Sequence, residues 1–205
     1  MRLAVLDTGH DRPAALALRL MARLTRSDPP EIVRLGCYRH RFFGTPFFDL
    51  VQELMRGRSS WTVGERELFA AYVSKTNECP FCATGHRAIA VSYVGPVPVN
   101  AALDRASSAP LRAEVRAVLA FLDKMSRQSE ALTGADVQAV RDAGVIDEAL
   151  NEAILIGTLF HVINRVMNAV GAGPLDGHRR DVAVRMVRRF GYRNPLVVRL
   201  LSRAG

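Results

Sequence analysis

The segment ECPFCATGH, residues 78–86, contains two cysteines three positions apart and a histidine four positions after the second. Pro80 suits the first turn of an α-helix, where its missing N–H would have no partner, so the segment predicts a helix that begins beside Cys79. Residues four apart lie on one face of a helix, which brings His86 within reach of the Cys82 thiol. Free N–H groups and the positive end of the helix dipole favour a thiolate at this end. The segment therefore predicts redox chemistry on sulfur.

The sequence on both sides of this segment predicts helices throughout. Apolar residues recur at helical spacing between capping residues, glycines and prolines, and no run alternates apolar and polar residues between hairpin turns. Of the 205 residues, 49% are hydrophobic, which is ample for one buried core. We predict an all-α bundle in a single domain, 1–205, with a core over residues 40–173 and a basic helical tail over 174–205. The predicted helices cover residues 12–25, 31–41, 45–57, 62–77, 80–93, 110–127, 133–144 and 147–170, with a break at 95–98.

A glutamate in the preceding helix extends the cysteine motif. Glu67 lies twelve positions before Cys79. The pattern formed by Glu67, Cys79, Cys82 and His86 resembles that of the AhpD-like alkylhydroperoxidases of the carboxymuconolactone decarboxylase superfamily. Residues 64–90 carry most of this resemblance, and residues 151–171 resemble a later helix of such proteins. The resemblance implies an AhpD-like helical bundle and an enzyme that reduces hydroperoxides.

Peroxide reduction requires a thiolate that attacks, a group that takes its proton and a second thiol. Cys82 is the expected nucleophile because His86 shares its helix face, and Cys79 would then form a disulfide with it. The resemblance implies the same division of roles, and it implies that Glu67 orients His86 and completes a proton relay. We expect burial among apolar neighbours to raise the pKa of Glu67. No cofactor is expected, and an unidentified dithiol or protein would reduce the disulfide.

One position departs from the pattern of the best-described alkylhydroperoxidases. Phe81 stands directly before the second cysteine, where those proteins carry a histidine. The expected relay is therefore shorter by one member. The non-redox decarboxylase branch lacks the cysteine pair, so the presence of Cys79 and Cys82 argues against that branch.

Other chemistry remains open on the sequence alone. The two cysteines and His86 would supply three zinc ligands, with His161 or His40 as a fourth, although there is no second CxxC or HxxxH. His161 lies in an apolar run, and we expect it either to bond a backbone carbonyl or to line the active site. Cys37 is expected to be a small buried residue. The alternative functions are a cofactor-free decarboxylase or hydrolase on the same fold, and a redox-sensing interaction protein.

The positive charge is concentrated in the tail. Eight arginines and one aspartate lie in residues 178–205, which therefore carry almost all of the net charge of +8. A nucleic-acid-binding surface would have such charge, but no nucleic-acid motif accompanies it. A solvated helix face is the preferred interpretation, and we do not expect nucleic acid as a partner.

The remaining expectations concern location and assembly. No run approaches 18 uninterrupted apolar residues and the first residues do not resemble a secretory signal, so we expect a cytoplasmic protein without a membrane partner. Three short apolar runs are expected to leave apolar surface uncovered, which predicts a homo-oligomer. The family resemblance implies dimers, trimers or hexamers. The three runs are Phe42–Phe43, Phe47–Phe48 and Leu196–Val198.

Overall fold

The computed structural model describes residues 1–193. In this part of the chain all regular secondary structure is helical and no strand is present, which confirms the predicted all-α class. The α-helices are α1 (Val5–Thr8), α2 (Arg12–Thr25), α3 (Glu31–Tyr38), α4 (His40–Phe43), α5 (Thr45–Arg56), α6 (Val63–Thr76), α7 (Pro80–Val94), α8 (Pro96–Asp104), α9 (Ala113–Arg127), α10 (Gly134–Asp142), α11 (Asp147–Val170) and α12 (Gly177–Phe190), with 3-10 turns at Ala106–Ser108 and Ser129–Ala131.

Helix α6 lies at the centre of the fold. It contacts α7, α11 and α9 most extensively, and it also contacts α5 and α8. Its side chains are buried on all sides, as expected for a helix enclosed by others. The predicted capping box begins this helix, because Thr62 Oγ1 accepts the Glu65 N–H at 3.3 Å and the Glu65 carboxylate accepts the Thr62 N–H at 2.8 Å. Because α6 begins directly after Thr62, Glu67 lies in its second turn, where the side chain is buried in the core.

Helix α7 begins where the cysteine motif predicts. Cys79 is its N-cap residue with an extended backbone, Pro80 is its first residue, and Cys82 lies in the first turn. The helix ends at Gly95, whose φ of 95° is favourable for glycine alone. The predicted break at residues 95–98 is wrong in extent: Pro96 begins α8 directly, because proline is tolerated in the first helical turn.

Helix α11 is the long apolar helix that the sequence predicts over residues 147–170. By length and mean hydropathy it is able to cross a membrane, but half of its most apolar window is buried inside the protein. Its buried face packs against α6, α9 and α7. The same face carries a polar residue, Asn164, into the core beside the start of α7.

The basic tail is partly packed onto the domain. Helix α12 contacts α7. Arg179 forms an ion pair with Glu31 of α3 at 2.9 Å, and the Arg188 guanidinium lies 4.9 Å from the centre of the Tyr93 ring at the end of α7. The interpretation of the tail as a solvated face is therefore incomplete, because part of its charge binds the domain. Residues 194–205 of the tail lie outside the described residues.

Candidate functional site

The two cysteines of the motif lie together at the N-terminus of α7. Both are free thiols, with residue exposures of 1% for Cys79 and 3% for Cys82. The thiol of Cys82 donates a hydrogen bond to the sulfur of Cys79. The N–H groups of Phe81 and Cys82 favour the thiolate of Cys79, although no side-chain capping bond is formed at this N-cap. Cys79 thus lies beside the donors that the first turn of a helix leaves free.

These contacts give the two thiols opposite pKa shifts. The hydrogen bond from Cys82 is the largest influence on Cys79, and together with two backbone N–H groups and the Asn164 amide it outweighs burial and lowers the pKa of Cys79 to about 7. Donation to Cys79, burial and the negative charge of Cys79 raise the pKa of Cys82 well above its usual value. The sequence led us to expect that Cys82 attacks the peroxide. The directions of the two pKa shifts favour Cys79 instead, chiefly because Cys79 accepts the hydrogen bond from Cys82.

A buried amide network on the other side of the thiols was not predicted. Asn164 is fully buried, donates to Ser74 Oγ at 3.0 Å and accepts from Asn77 Nδ2 at 2.9 Å. Its side chain also hydrogen-bonds both sulfurs, and these bonds favour their ionised forms. The signal in the sequence was weak, because a single asparagine in an apolar helix has no motif.

His161 belongs to this network and is not a partner of the cysteines. Its Nδ1 accepts from Asn77 Nδ2 at 3.0 Å. Its Nε2 lies 3.2 Å from Ser126 Oγ, which donates its own proton to the Leu122 carbonyl, so Nε2 carries the histidine proton. Neither of the two predicted roles describes it fully. Within residues 1–193 no group of three or more His, Cys, Asp or Glu side chains is placed to hold a metal ion.

Glu67 is the centre of a second cluster and is fully buried. Its Oε2 accepts from His86 Nδ1 at 2.6 Å, and its Oε1 accepts from Arg56 Nη2 at 2.6 Å and from the Tyr192 hydroxyl at 2.8 Å. Burial acts to raise the pKa of Glu67, but His86, Arg56 and the Tyr192 hydroxyl together lower it. The expectation of a raised pKa was wrong, because His86, and after it Arg56 and Tyr192 from parts of the chain outside the motif, outweigh the effect of burial.

His86 is oriented by this carboxylate. Its Nδ1 faces Glu67, and its ring packs edge-on against Phe160 with centroids 4.5 Å apart. Because Nδ1 donates to Glu67, Nε2 is the ring nitrogen able to accept a proton. In the part of the chain that the structure describes, neither cysteine is hydrogen-bonded to this ring. The predicted residues Glu67 and His86 are therefore in contact. The direct route from Cys82 to His86 is not formed as a hydrogen bond among the described residues, and the route through water stays a prediction.

The remaining cysteine lies apart from the site. Cys37 is half-buried in α3, not fully buried as expected. Burial, with the charge of Asp11, raises its pKa to about 11. It is therefore a poor nucleophile at neutral pH and provides an internal reference for the reactive pair.

Comparison with solved structures identifies the fold. A peroxidase-related protein from Ralstonia eutropha, described as an alkylhydroperoxidase AhpD core, has a TM-score of 0.72 at 25% identity, over 87% of this chain and 94% of its own. A peroxidase-related protein from a Silicibacter species has a TM-score of 0.70 at 24% identity, over 82% and 88%. The debrominase Bmp8 has a TM-score of 0.65 at 20% identity, over 83% and 88%.

The chain has the AhpD-like helical fold. This likeness is consistent with the AhpD-like superfamily to which the motif around the cysteines points. No sequence model of a protein family matches the chain, and no curated protein sequence matches it either.

The buried charge of Glu67 leads to a prediction about stability. Replacing Glu67 by alanine leaves the Arg56 guanidinium without its carboxylate, so the free energy of unfolding should fall by about 3–5 kcal/mol. Glu65→Ala, two positions earlier, removes a capping box near the surface and should cost about 1 kcal/mol. Urea unfolding of both variants measures the difference, and equal losses would contradict a central role for the Glu67 charge.

The shifted thiol pKa leads to a prediction about pH. The thiolate is the form that reacts with iodoacetamide, so labelling of the pair should rise through about pH 7. Asn164→Ala removes a donor to the sulfurs and should move this midpoint upward. Asn168→Ala is the matched control, because the Asn168 amide bonds the carbonyls of Asn77 and Glu78 instead. An unchanged midpoint in Asn164→Ala, with Cys37 unlabelled throughout, would exclude Asn164 from this role.

Proposed function

We propose that this protein is a thiol-dependent peroxidase that reduces hydroperoxides through a reversible disulfide between Cys79 and Cys82. The observation that carries the proposal is the buried thiol pair, in which the pKa of Cys79 is lowered to about 7. His86, which Glu67 orients on the same helix as the pair and which is able to accept a proton, supports it further. So does the fold shared with a peroxidase-related protein at 25% identity.

The first step consumes the hydroperoxide. The Cys79 thiolate attacks the terminal oxygen of the O–O bond, which breaks and leaves an alkoxide, while the sulfur becomes a sulfenic acid. The Cys82 thiol, hydrogen-bonded to Cys79, is next to this reaction and supplies the proton that converts the alkoxide to the alcohol. We assign the attack to Cys79 because it is the N-cap residue of α7, at the positive end of the helix, and because its pKa is lowered whereas that of Cys82 is raised.

The second step forms the disulfide. Cys82, now a thiolate, attacks the Cys79 sulfenic acid, and the released hydroxide takes up a proton to leave as water. If Cys82 has kept its proton, His86 Nε2 accepts it, and the Glu67 carboxylate stabilises the resulting imidazolium through Nδ1. A dithiol or a protein reductant then restores both thiols by exchange. Over one cycle the hydroperoxide gains two electrons and two protons from that reductant.

Reductive dehalogenation is a second candidate, because a debrominase shares the fold. The same pair is suited to it in principle. A thiolate would take the halogen from carbon, the carbon would gain a proton, and the second thiol would displace halide to give the same disulfide. The likeness to that debrominase extends to the fold, so we place this activity second. A decarboxylase or hydrolase would need neither thiol.

A turnover assay with single-cysteine variants tests the proposal. Reduced protein should consume cumene hydroperoxide in the presence of dithiothreitol or a protein dithiol, with a 79–82 disulfide seen by mass spectrometry. Cys82→Ser should give a Cys79 sulfenic acid that dimedone traps, and Cys79→Ser should consume peroxide at the background rate. Cys37→Ser is the control and should behave as wild type, because this thiol has a raised pKa.

Each contrary result has a definite meaning. Dimedone labelling of Cys82 in Cys79→Ser, at the wild-type rate, would assign the attack to Cys82, as expected from the sequence. Bromide release from a brominated pyrrole without peroxide consumption would favour dehalogenation. No disulfide under either condition would end the redox proposal.

We also propose that the protein is a homo-oligomer. Leu16, Leu20 and Leu24 of α2 are 65%, 45% and 77% exposed, and their spacing of four places them on one face. An uncovered apolar stripe of this kind is typical of an interface. Of the three short apolar runs named in the sequence, only the first adds clearly exposed apolar surface, through Phe42. Phe48 is buried, and Leu196–Val198 lies outside the described residues.

Sedimentation equilibrium tests the assembly. Wild type should have a mass of at least twice 22.6 kDa at micromolar concentration. Leu20→Glu introduces a charge in the stripe and should shift the protein towards monomer. Val97→Glu, at a position in α8 that is 71% exposed, is the control and should leave the mass unchanged. A wild-type monomer would contradict the proposal.

A further inference from the structure

Tyr192, which follows α12, contacts the buried carboxylate of Glu67. The Tyr192 hydroxyl donates to Glu67 Oε1 at 2.8 Å and lies 3.3 Å from His86 Nδ1. Its ring is nearly parallel to the His86 ring, with centroids 6.0 Å apart, and the Arg56 guanidinium lies 4.8 Å from its centre. Tyr192 therefore contacts every other member of the Glu67 cluster.

The position of this tyrosine is built into the end of α12. Gly191 ends the helix with a φ of 68°, and a Cβ there would lie 2.3 Å from Gln52 Oε1, so no other residue fits without a shift. The Tyr192 N–H donates to the same Gln52 oxygen at 2.7 Å. Earlier in the helix, Arg188 lies over the Tyr93 ring and donates to the Ser92 carbonyl at 3.3 Å. Contacts at Arg188, in the last turn of α12, and at Gly191–Tyr192, just after it, therefore hold the end of the helix against the domain and fix the position of Tyr192.

The Tyr192 hydroxyl is suited to donate a hydrogen bond to the ionised Glu67 carboxylate. Burial and the adjacent Glu67 charge raise the pKa of Tyr192 well above its usual value, so the phenol keeps its proton. It satisfies Oε1 together with Arg56, which leaves Oε2 directed at the histidine. Unlike a second arginine, it does this without adding positive charge beside His86. Its ring also covers the cluster on one side.

We propose that Tyr192 is a positioning residue of the thiol site, which holds the Glu67 carboxylate in the orientation that fixes His86 with its proton on Nδ1. Its significance for turnover rests on the function proposed above, whereas its effect on His86 does not. The basic tail thereby has a role inside the site, in addition to its surface charge. Tyr192 acts through Glu67 and is not assigned any contact with the substrate.

Proton NMR of the reduced, full-length protein tests the positioning role without any peroxide. The Nδ1 proton of His86, assigned by its loss in His86→Asn, should give a downfield resonance protected from exchange with water. Tyr192→Phe keeps the ring but removes the hydroxyl, and exchange of this proton should become at least about tenfold faster. Tyr93→Phe is the matched control, since Tyr93 lies against the same helix without contacting Glu67, and it should match wild type.

Kinetics add a readout that a general loss of stability would not produce. Tyr192→Phe should lower kcat about tenfold with KM unchanged, the scale of one hydrogen bond to a charged group. In a Glu67→Gln background the same change should have less than about a twofold effect, because Tyr192 acts through the carboxylate. Wild-type proton exchange in Tyr192→Phe would overturn the inference. If wild type consumes no peroxide, the proposed function fails while the NMR comparison still decides the role of Tyr192.

Discussion

The site depends on one ionised carboxylate in the middle of the fold. Glu67 has no exposed surface, and a buried charge without partners would be strongly unfavourable. His86, Arg56 and Tyr192 make it favourable, each from a different helix or segment, and together they lower its pKa. A lowered pKa means that this charge adds stability at neutral pH and that the stability is lost as the pH falls through the lowered value. The requirement to surround Glu67 therefore links α5, α6, α7 and the C-terminal segment.

The groups that shift the pKa values of Cys79 and Cys82 differ from those that shift the pKa of Glu67. The N-terminus of α7 and the Asn164 amide of α11 act on the sulfurs, whereas His86 is bonded to Glu67. Under the proposed function, His86 would take the proton of Cys82. The two arrangements meet in α7, which carries both cysteines at its start and His86 one turn later. Phe81 occupies a position where a histidine stands in the best-described alkylhydroperoxidases. In this chain the groups that lower the pKa of Cys79 are the Cys82 thiol, backbone N–H groups and the Asn164 amide, and none of them is an imidazole.

The arginines of the tail do not all lie free in solvent, as their number in the sequence suggested. Counting arginines suggested a solvated surface, and several of them do lie at the surface. However, Arg179 pairs with Glu31 and Arg188 lies over Tyr93, so the same residues that make the tail basic also hold α12 against α3 and α7. The consequence is that Tyr192 reaches the core, where its hydroxyl bonds Glu67.

The sequence by itself determined the local features of this protein. Helical periodicity predicted the all-α class, and the Thr62–Glu65 capping box placed the start of α6. The ECPFCATGH segment together with Glu67 named four residues, among which Glu67 and His86 are in direct contact. Only the tertiary structure decided the rest. Arg56, Asn164 and Tyr192 are 11 to 125 residues from the groups they contact, and no short motif records a pairing over such separations. The lowered pKa of Glu67 also depends on such contacts, because His86, Arg56 and Tyr192 surround it, whereas the opposite pKa shifts of the two cysteines come chiefly from their own contact within α7.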